Sequence, residues 1–195
     1  MSEPASESRD TVEPVAALLL VDLQRAFVTG DGAVPAAVPL LRTVSALLDR
    51  ARSSGAFVVQ LQNDGTAGEP DEPGAPGRRL YFPPVEGEPV VRKTTDDGFY
   101  QTELGDLLQA KGVERIAVCG VLSEMCVRAT VEEALDQDYG VVLPHDAHAT
   151  YDIPPAPGDT DPVPAVLAAR TAEWSLGDQV EILAAAGQVR FTRPR

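Results

Sequence analysis

Cys126 is the residue in this sequence best placed to act as a nucleophile. The apolar run 116–120 is typical of a buried strand that stops at Gly120, and helical spacing begins at Ser123, which predicts Cys126 in the first turn of a helix. Unpaired backbone N–H groups and the positive end of the helix dipole favour a thiolate there. The N–H groups of Leu122 and Cys126 are the predicted oxyanion donors for a carbonyl under attack.

Two charged residues follow other predicted strands. Asp22 comes directly after the apolar run 15–21, and Lys93 ends the run 89–93. The carboxyl ends of parallel strands meet at one edge of a sheet, where open α/β sheets bind ligands, and we expect both side chains there. On local pattern alone Asp22 could equally cap or turn the chain, and a lone lysine is most often a solvated surface charge.

Strand and helix patterns alternate along the chain. Predicted strands cover 15–21, 56–61, 89–93, 113–120, 141–143 and 180–183, with helical spacing over 35–54, 102–112, 123–139 and around Val166, Leu167 and Trp174. This order predicts an α/β fold, a three-layer α/β/α sandwich with a doubly wound, mainly parallel sheet of about six strands. Residues 1–13 are predicted to be a disordered tail, and residues 14–195 a single domain. Trp174 is expected in the core or in an interface.

Composition limits the classes of partner. A formal net charge of -14 argues against nucleic acid or an anionic membrane and favours a small-molecule substrate. The sequence has neither a long apolar run nor a signal-peptide pattern, and we expect a cytoplasmic protein. Cys119 and Cys126 form no disulfide framework; Cys119 is expected to be an inert core residue. His145 and His148 are expected to fix their loop by hydrogen bonds, and no metal site is predicted.

A long irregular stretch, residues 63–88, is rich in Gly, Pro and acidic residues. A loop of this length inside a domain is usually functional, and we expect a lid or rim over the pocket, with an oligomer contact as the alternative. Its acidic side chains could favour a cationic substrate, although a solvated surface is the simpler interpretation. These side chains are Glu69, Asp71, Glu72, Glu86 and Glu88.

Three segments together resemble the motifs of the isochorismatase-like cysteine hydrolase superfamily. They are residues 18–27 around Asp22, residues 90–93 ending in Lys93 with Phe99 and Thr102 behind it, and residues 120–127 around Cys126. The resemblance extends from about Val15 to Leu183. It implies a catalytic triad of Asp22, Lys93 and Cys126, a cis peptide bond between Val121 and Leu122, substrate contacts from Phe27, Phe99 and Val121, and a homo-oligomer, either a dimer or a tetramer.

The resemblance also implies hydrolysis of a C–N bond through a thioester acyl-enzyme, without metal or cofactor. Cys126 would attack the carbonyl, Asp22 would carry its proton to the leaving nitrogen, and Lys93 would hold the carboxylate and lower the pKa of the thiol. Nicotinamidases carry metal ligands that this chain lacks, and true isochorismatases lack the cysteine. Metal-free amidases fit better, either carbamoyl-type amidases or the lactam-opening branch of the streptothricin hydrolases, to which the third motif and residues 145–152 are more similar.

Two alternatives stay open at this point. One is an isochorismatase-type hydrolase of another small metabolite. The other is a redox protein on the same fold that uses Cys126 as an oxidisable thiol. A redox protein would tolerate the loss of Asp22 and Lys93, whereas a hydrolase would not.

Overall fold

A parallel sheet forms the centre of the molecule. The computed structural model describes residues 12–158 and 161–195. Its strands are β1 Ala17–Val21, β2 Phe57–Asn63, β3 Val90–Lys93, β4 Arg115–Val121, β5 Gly140–Pro144, β6 His148–Ala149 and β7 Val180–Leu183. The order is β3-β2-β1-β4-β5-β7, with the two-residue β6 paired to the end of β4, and all of these pairs are parallel. The predicted mainly parallel sheet is confirmed, with the short β6 as the strand that the sequence pattern did not indicate.

Helices connect the strands. They are α1 Arg25–Val28, α2 Ala37–Ser54, α3 Leu104–Ala110, a π-helical turn Ser123–Val127, α4 Arg128–Asp136 and α5 Ala165–Ser175, with 3-10 turns at Gly30–Gly32, Pro76–Arg78, His145–Ala147, Gly177–Gln179 and Ala186–Gln188. Helix α2 ends where the sequence predicts, because Gly55 adopts a left-handed φ of 73° and its N–H donates to the carbonyls of the last turn.

Apolar side chains cover both faces of the sheet. Along β1, Leu18 and Leu20 join the cluster that contains the buried side of α2, whereas Leu19 and Val21 join the cluster that contains α3 and α4. This alternation is what a strand buried on both faces requires. The sheet is therefore the middle layer of the predicted α/β/α sandwich.

The strand order reverses between β1 and β4, and this point becomes the ligand-binding edge in sheets of this kind. Gly120 of β4 lies opposite Val21 of β1. Its φ is 132°, and a Cβ built there would lie 2.0 Å from the Val21 carbonyl oxygen. Only glycine fits this close approach, which brings the ends of β1 and β4 together.

The position of Trp174 on helix α5 differs from one prediction. The Trp174 side chain is 78% exposed, so its predicted place in the core is wrong, while its place in an interface stays a prediction. The helix instead buries Ala168, Ala172 and Glu173, because its small residues and one partnered carboxylate face the protein.

The predictions for the N-terminal tail and for membrane-spanning segments can be compared with the structure only over the described residues. Residues 1–11 of the predicted tail lie outside the described residues, and the division into tail and single domain stays a prediction. In the described ranges, no helix combines the length and the apolarity needed to cross a membrane.

Candidate active site

Asp22 lies at the carboxyl end of β1 with its side chain inside the protein. Its backbone has a φ of 49°, a left-handed conformation that is uncommon for a residue with a side chain, and its N–H donates to the Leu61 carbonyl at 3.1 Å. Oδ2 lies 2.7 Å from Lys93 Nζ. Oδ1 is buried and has no hydrogen-bond partner among the described residues. Asp22 therefore holds one paired and one unpaired carboxylate oxygen.

Lys93 ends β3, and its side chain is fully buried against Asp22. The strand order puts β2 between β3 and β1, a separation of about 10 Å that only a long side chain can bridge. Nζ also donates to the Thr95 carbonyl at 3.0 Å. The interpretation of Lys93 as a surface charge is therefore wrong, because the lysine is the buried partner of Asp22.

Cys126 lies in the π-helical turn that follows β4, ahead of α4. The N–H groups of Met125 and Val127 both donate to the Leu122 carbonyl at 3.1 Å, and the second of these bonds gives the turn its π character. The half-buried sulfur lies near enough to Asp22 and Lys93 for both charges to act on the pKa of the thiol. The structure thus brings the three side chains predicted to form a triad to one place, with an ion pair between Asp22 and Lys93.

The surroundings of Cys126 contradict the predicted thiolate. Burial raises the pKa of the Cys126 thiol, the Asp22 carboxylate raises it further, and the Lys93 charge opposes both without overcoming them. Asp96 also raises this pKa, since its Oδ1 lies 3.4 Å from the sulfur and accepts its S–H. The raised pKa therefore favours a neutral thiol at Cys126, rather than the predicted thiolate.

The pKa values of Asp22 and Lys93 are both raised above their ordinary values. Burial raises the pKa of Asp22, and the Lys93 ammonium only partly offsets this. For Lys93, burial lowers the pKa, but the Asp22 carboxylate is the main cause that outweighs burial, and the pKa is raised. The ammonium is thus charged across the neutral range, and the carboxyl group is a better proton acceptor than an exposed aspartate.

The remaining predicted site residues lie at different depths. The peptide bond between Val121 and Leu122 is cis, as the resemblance implies. Val121 is fully buried and Phe27 packs on the same cluster, whereas Phe99 is 7% exposed and packs beside Tyr139 on the other face of the sheet. Their role as substrate contacts stays a prediction, as does the oxyanion role of the Leu122 and Cys126 N–H groups.

The loop 63–88 is fastened to the segment that follows β1. The Gln24 amide donates to the carbonyls of Asn63 and Arg78, and the Tyr81 N–H donates to the Leu23 carbonyl at 2.7 Å. The loop thus borders the edge that carries Asp22, as a rim would, and its use as a lid or in an oligomer stays a prediction.

The acidic residues of this loop are only partly a solvated surface. Asp71 is 3% exposed, and its carboxylate accepts from the Asn63 amide at 2.7 Å. Glu88 accepts two hydrogen bonds from Arg52. For these two side chains the expectation of a solvated surface is wrong, because each has a fixed partner within the fold.

His145 and His148 fix the loop after β5, as predicted, through one carboxylate oxygen. Oε1 of Glu173 lies 2.6 Å from His145 Nδ1 and 3.0 Å from His148 Nε2. His148 Nδ1 also lies 2.8 Å from Ser123 Oγ, in the turn that carries Cys126. Within the described residues, no group of three or more His, Cys, Asp or Glu side chains is arranged to hold a metal ion.

Sequence reasoning missed three residues of this neighbourhood. Asp96 belongs to a polar run that is typical of exposed loops, Ser123 marks only the start of a helix in the sequence pattern, and Glu173 lies on a helix without other buried charges. A carboxylate with two histidine partners from another segment leaves no periodic signal in sequence, so the structure was needed to find it.

Comparison with known proteins shows the family of this chain. Residues 16–157 match the isochorismatase domain family. A streptothricin hydrolase from Streptomyces noursei is 56% identical over 193 residues, which are 98% of this chain and 77% of that protein. The crystal structure of an isochorismatase from Pseudomonas putida KT2440 has a TM-score of 0.83 at 28% identity, covering 91% of this chain and 93% of that one.

A second solved structure is an N-carbamoylsarcosine amidase from Thermoplasma acidophilum. It has a TM-score of 0.66 at 28% identity and covers 71% of this chain and 86% of that one. Both the family match and the 56% identical relative extend over the strand ends that carry Asp22, Lys93 and Cys126. The chain belongs to the isochorismatase family and is a hydrolase of that family.

Proposed function

We propose that this protein is a cysteine-dependent hydrolase that cleaves a C–N bond of a small molecule. The observation that carries the proposal is the buried Asp22–Lys93 pair, 2.7 Å apart, beside the Cys126 sulfur. A buried charge pair beside a half-buried thiol supplies both a base and the charge that holds this base in place. A free reactive thiol also suits a reducing compartment, so we propose that the enzyme acts in the cytoplasm.

The contacts of the triad support a two-step reaction. Asp22 Oδ1, the unpaired oxygen, accepts the thiol proton as Cys126 attacks the carbonyl carbon, and the N–H groups of Leu122 and Cys126 receive the oxyanion. Asp22 then protonates the leaving nitrogen as the C–N bond breaks, which leaves a thioester on Cys126. Water, deprotonated by Asp22, hydrolyses the thioester and restores the thiol.

The proposed substrate is an amide, a carbamoyl compound or a lactam, and opening of a lactam like that of streptothricin is the specific proposal. The 56% identical streptothricin hydrolase supports streptothricin as a substrate. The solved N-carbamoylsarcosine amidase supports a carbamoyl compound, at half that identity. We therefore place streptothricin first in the substrate panel.

Intact-protein mass spectrometry tests the proposal directly. Wild-type protein is mixed with streptothricin, N-carbamoyl amino acids and primary amides, and both product and protein mass are followed. We expect turnover of at least one compound and a transient acyl mass on Cys126, both lost in Cys126→Ser. Cys119→Ala is the matched control, because Cys119 is fully buried in the core, and this variant should keep both signals.

One pattern of results would overturn the hydrolase proposal in favour of the redox alternative. No compound would turn over, while peroxide would add oxygen to Cys126 equally well in wild type, Asp22→Ala and Lys93→Ala. In that case the buried charge pair would have no role in the chemistry of the sulfur.

A further inference from the structure

The turn that carries Cys126 is held from one side by two side-chain hydrogen bonds. Ser123 Oγ lies 2.8 Å from His148 Nδ1, and the Thr150 hydroxyl donates to Glu124 Oε1 at 2.8 Å. The two partners are two residues apart at and just after β6, so they lie on one side of this extended segment. The first two residues of the turn are thus bound to the neighbouring strand, and Cys126 follows two positions later.

The bond to Ser123 continues into the protein through His148. The His148 side chain is 1% exposed, and its second nitrogen, Nε2, lies 3.0 Å from Oε1 of Glu173, whose side chain is 2% exposed. A carboxylate can only accept, so Nε2 carries a hydrogen and donates to Glu173. His148 is therefore hydrogen-bonded to Ser123 through one ring nitrogen and to Glu173 through the other.

Glu173 is well fixed at the far end of this chain of contacts. Its Oε1 also lies 2.6 Å from His145 Nδ1, and Arg170 Nη1 lies 3.5 Å from its Oε2. Burial raises the pKa of Glu173, but the two histidines outweigh burial and the pKa is lowered. A carboxylate with these partners has a fixed position on α5, and it fixes His148 and, through His148, Ser123.

Ser123 and His148 have the contacts of a nucleophile and its base, but they are buried away from any substrate. Ser123 is 1% exposed, so its oxygen cannot attack an external carbonyl. It does stand directly after Leu122, whose N–H is a predicted oxyanion donor, and three residues before Cys126. A side chain fixed at this point sets the position of both groups.

We propose that Ser123, His148 and Glu173 form a positioning relay that fixes the catalytic turn from helix α5. The relay rests on the proposed role of Cys126 as the nucleophile, but not on any particular substrate. An error of about 1 Å in the position of a reacting group can cost about 100-fold in rate. The relay therefore acts on turnover, with little effect on substrate binding.

Substitutions along the relay test this role. With the compound that wild type hydrolyses, we expect Ser123→Ala and Glu173→Gln each to lower kcat by about 10- to 100-fold, with KM changed by less than about threefold. Because both break one chain of contacts, the double variant should be about as slow as either single variant. Ser123→Thr keeps the hydroxyl and should recover most of the kcat.

A control on the same helix separates positioning from general stability. Thr171 of α5 makes a hydrogen bond only within its own helix, to the Leu167 carbonyl, among the bonds that the described residues form. Thr171→Ala should leave kcat unchanged. All variants are assayed well below their unfolding temperatures, so that a loss of folded protein does not imitate a loss of kcat.

A second readout needs no substrate, so the relay can be tested even if the proposed function fails. If the turn loosens, the sulfur becomes less buried and moves away from the Asp22 carboxylate, and the pH midpoint for alkylation of Cys126 by iodoacetamide should fall in Ser123→Ala and Glu173→Gln. Unchanged midpoints, with kcat equal to that of Thr171→Ala, would refute the relay. Independent, multiplying losses in the double variant would also refute it.

Discussion

At the scale of single residues, the site depends on how three charges act on one sulfur. Lys93 is neutralised by Asp22 in a buried pair, so the pair alone gives Cys126 no net positive neighbour. Asp96 then adds a carboxylate 3.4 Å from the sulfur on the exposed side. Both carboxylates consequently favour the protonated form of the thiol.

The Asp96 contact leads to a prediction for thiol reactivity. Replacing Asp96 with Asn removes a negative charge that raises the pKa of the Cys126 thiol, so the thiolate fraction at a given pH should increase. We expect alkylation by iodoacetamide at about pH 8 to become about threefold faster. Glu103→Gln, which changes an exposed carboxylate at the start of α3, should react at the wild-type rate. An equal rate for Asp96→Asn would show that the contact does not affect the sulfur.

Asp22 leads to a prediction for the pH dependence of activity. As the proposed base it must be ionised to accept the thiol proton, and burial raises its pKa above the ordinary 3.8. The value of kcat/KM should therefore fall with decreasing pH through a midpoint above 3.8, while the charge of Lys93 persists to high pH. An acid limb at or below pH 3.8 would mean that Asp22 is not the base.

The sequence indicated Asp22, Lys93 and Cys126 because each lies at or just after the end of a recognisable strand and because the three motifs together resemble those of a known family. It could not give the state of the thiol, since the effect of burial depends on how closely three separate strand ends approach. Lys93 illustrates the limit. Its local pattern is that of a surface lysine, and only the strand order puts it inside the protein opposite Asp22.

At the scale of elements, the junction between β4 and the π-helical turn decides whether the site can form. Strand and helix patterns on either side of Gly120 were clear in the sequence. The π turn was not, because its apolar spacing over five residues differs little from that of an α-helix. The exposed position of Trp174 was also missed, because alanines on α5 make the contacts that a larger residue was expected to make.

Gly120 gives a prediction for this junction. An added Cβ would lie 2.0 Å from the Val21 carbonyl oxygen, and the φ of 132° is one that residues with side chains rarely adopt. We expect Gly120→Ala to lower the free energy of unfolding by about 3 kcal/mol, measured by urea unfolding. Gly187→Ala is the matched control, because a Cβ added at Gly187 would have no atom outside its chain neighbours within 4 Å. Equal stabilities would show that β1 and β4 can move apart freely.

At the scale of the whole molecule, two features act in opposite directions on self-association. The net charge of -14 makes copies of the chain repel one another, more strongly at low salt. On α5, however, the side chains of Val166, Leu167 and Trp174 are 66%, 55% and 78% exposed, which is unusual for apolar residues on one short helix. The homo-oligomer implied by the sequence resemblance would give these side chains a partner.

We therefore predict a homo-oligomer whose contact includes Trp174 and which is stabilised by salt. Sedimentation velocity should show a dimer or tetramer, with a larger associated fraction in about 0.3 M than in about 0.02 M NaCl, because salt screens the repulsion. Trp174→Ser should shift the protein towards monomer. Val38→Ser removes a 71% exposed apolar side chain from α2 instead, and should sediment like wild type. A wild-type monomer at both salt concentrations would contradict the prediction, and an oligomer unaffected by Trp174→Ser would assign the contact to another face.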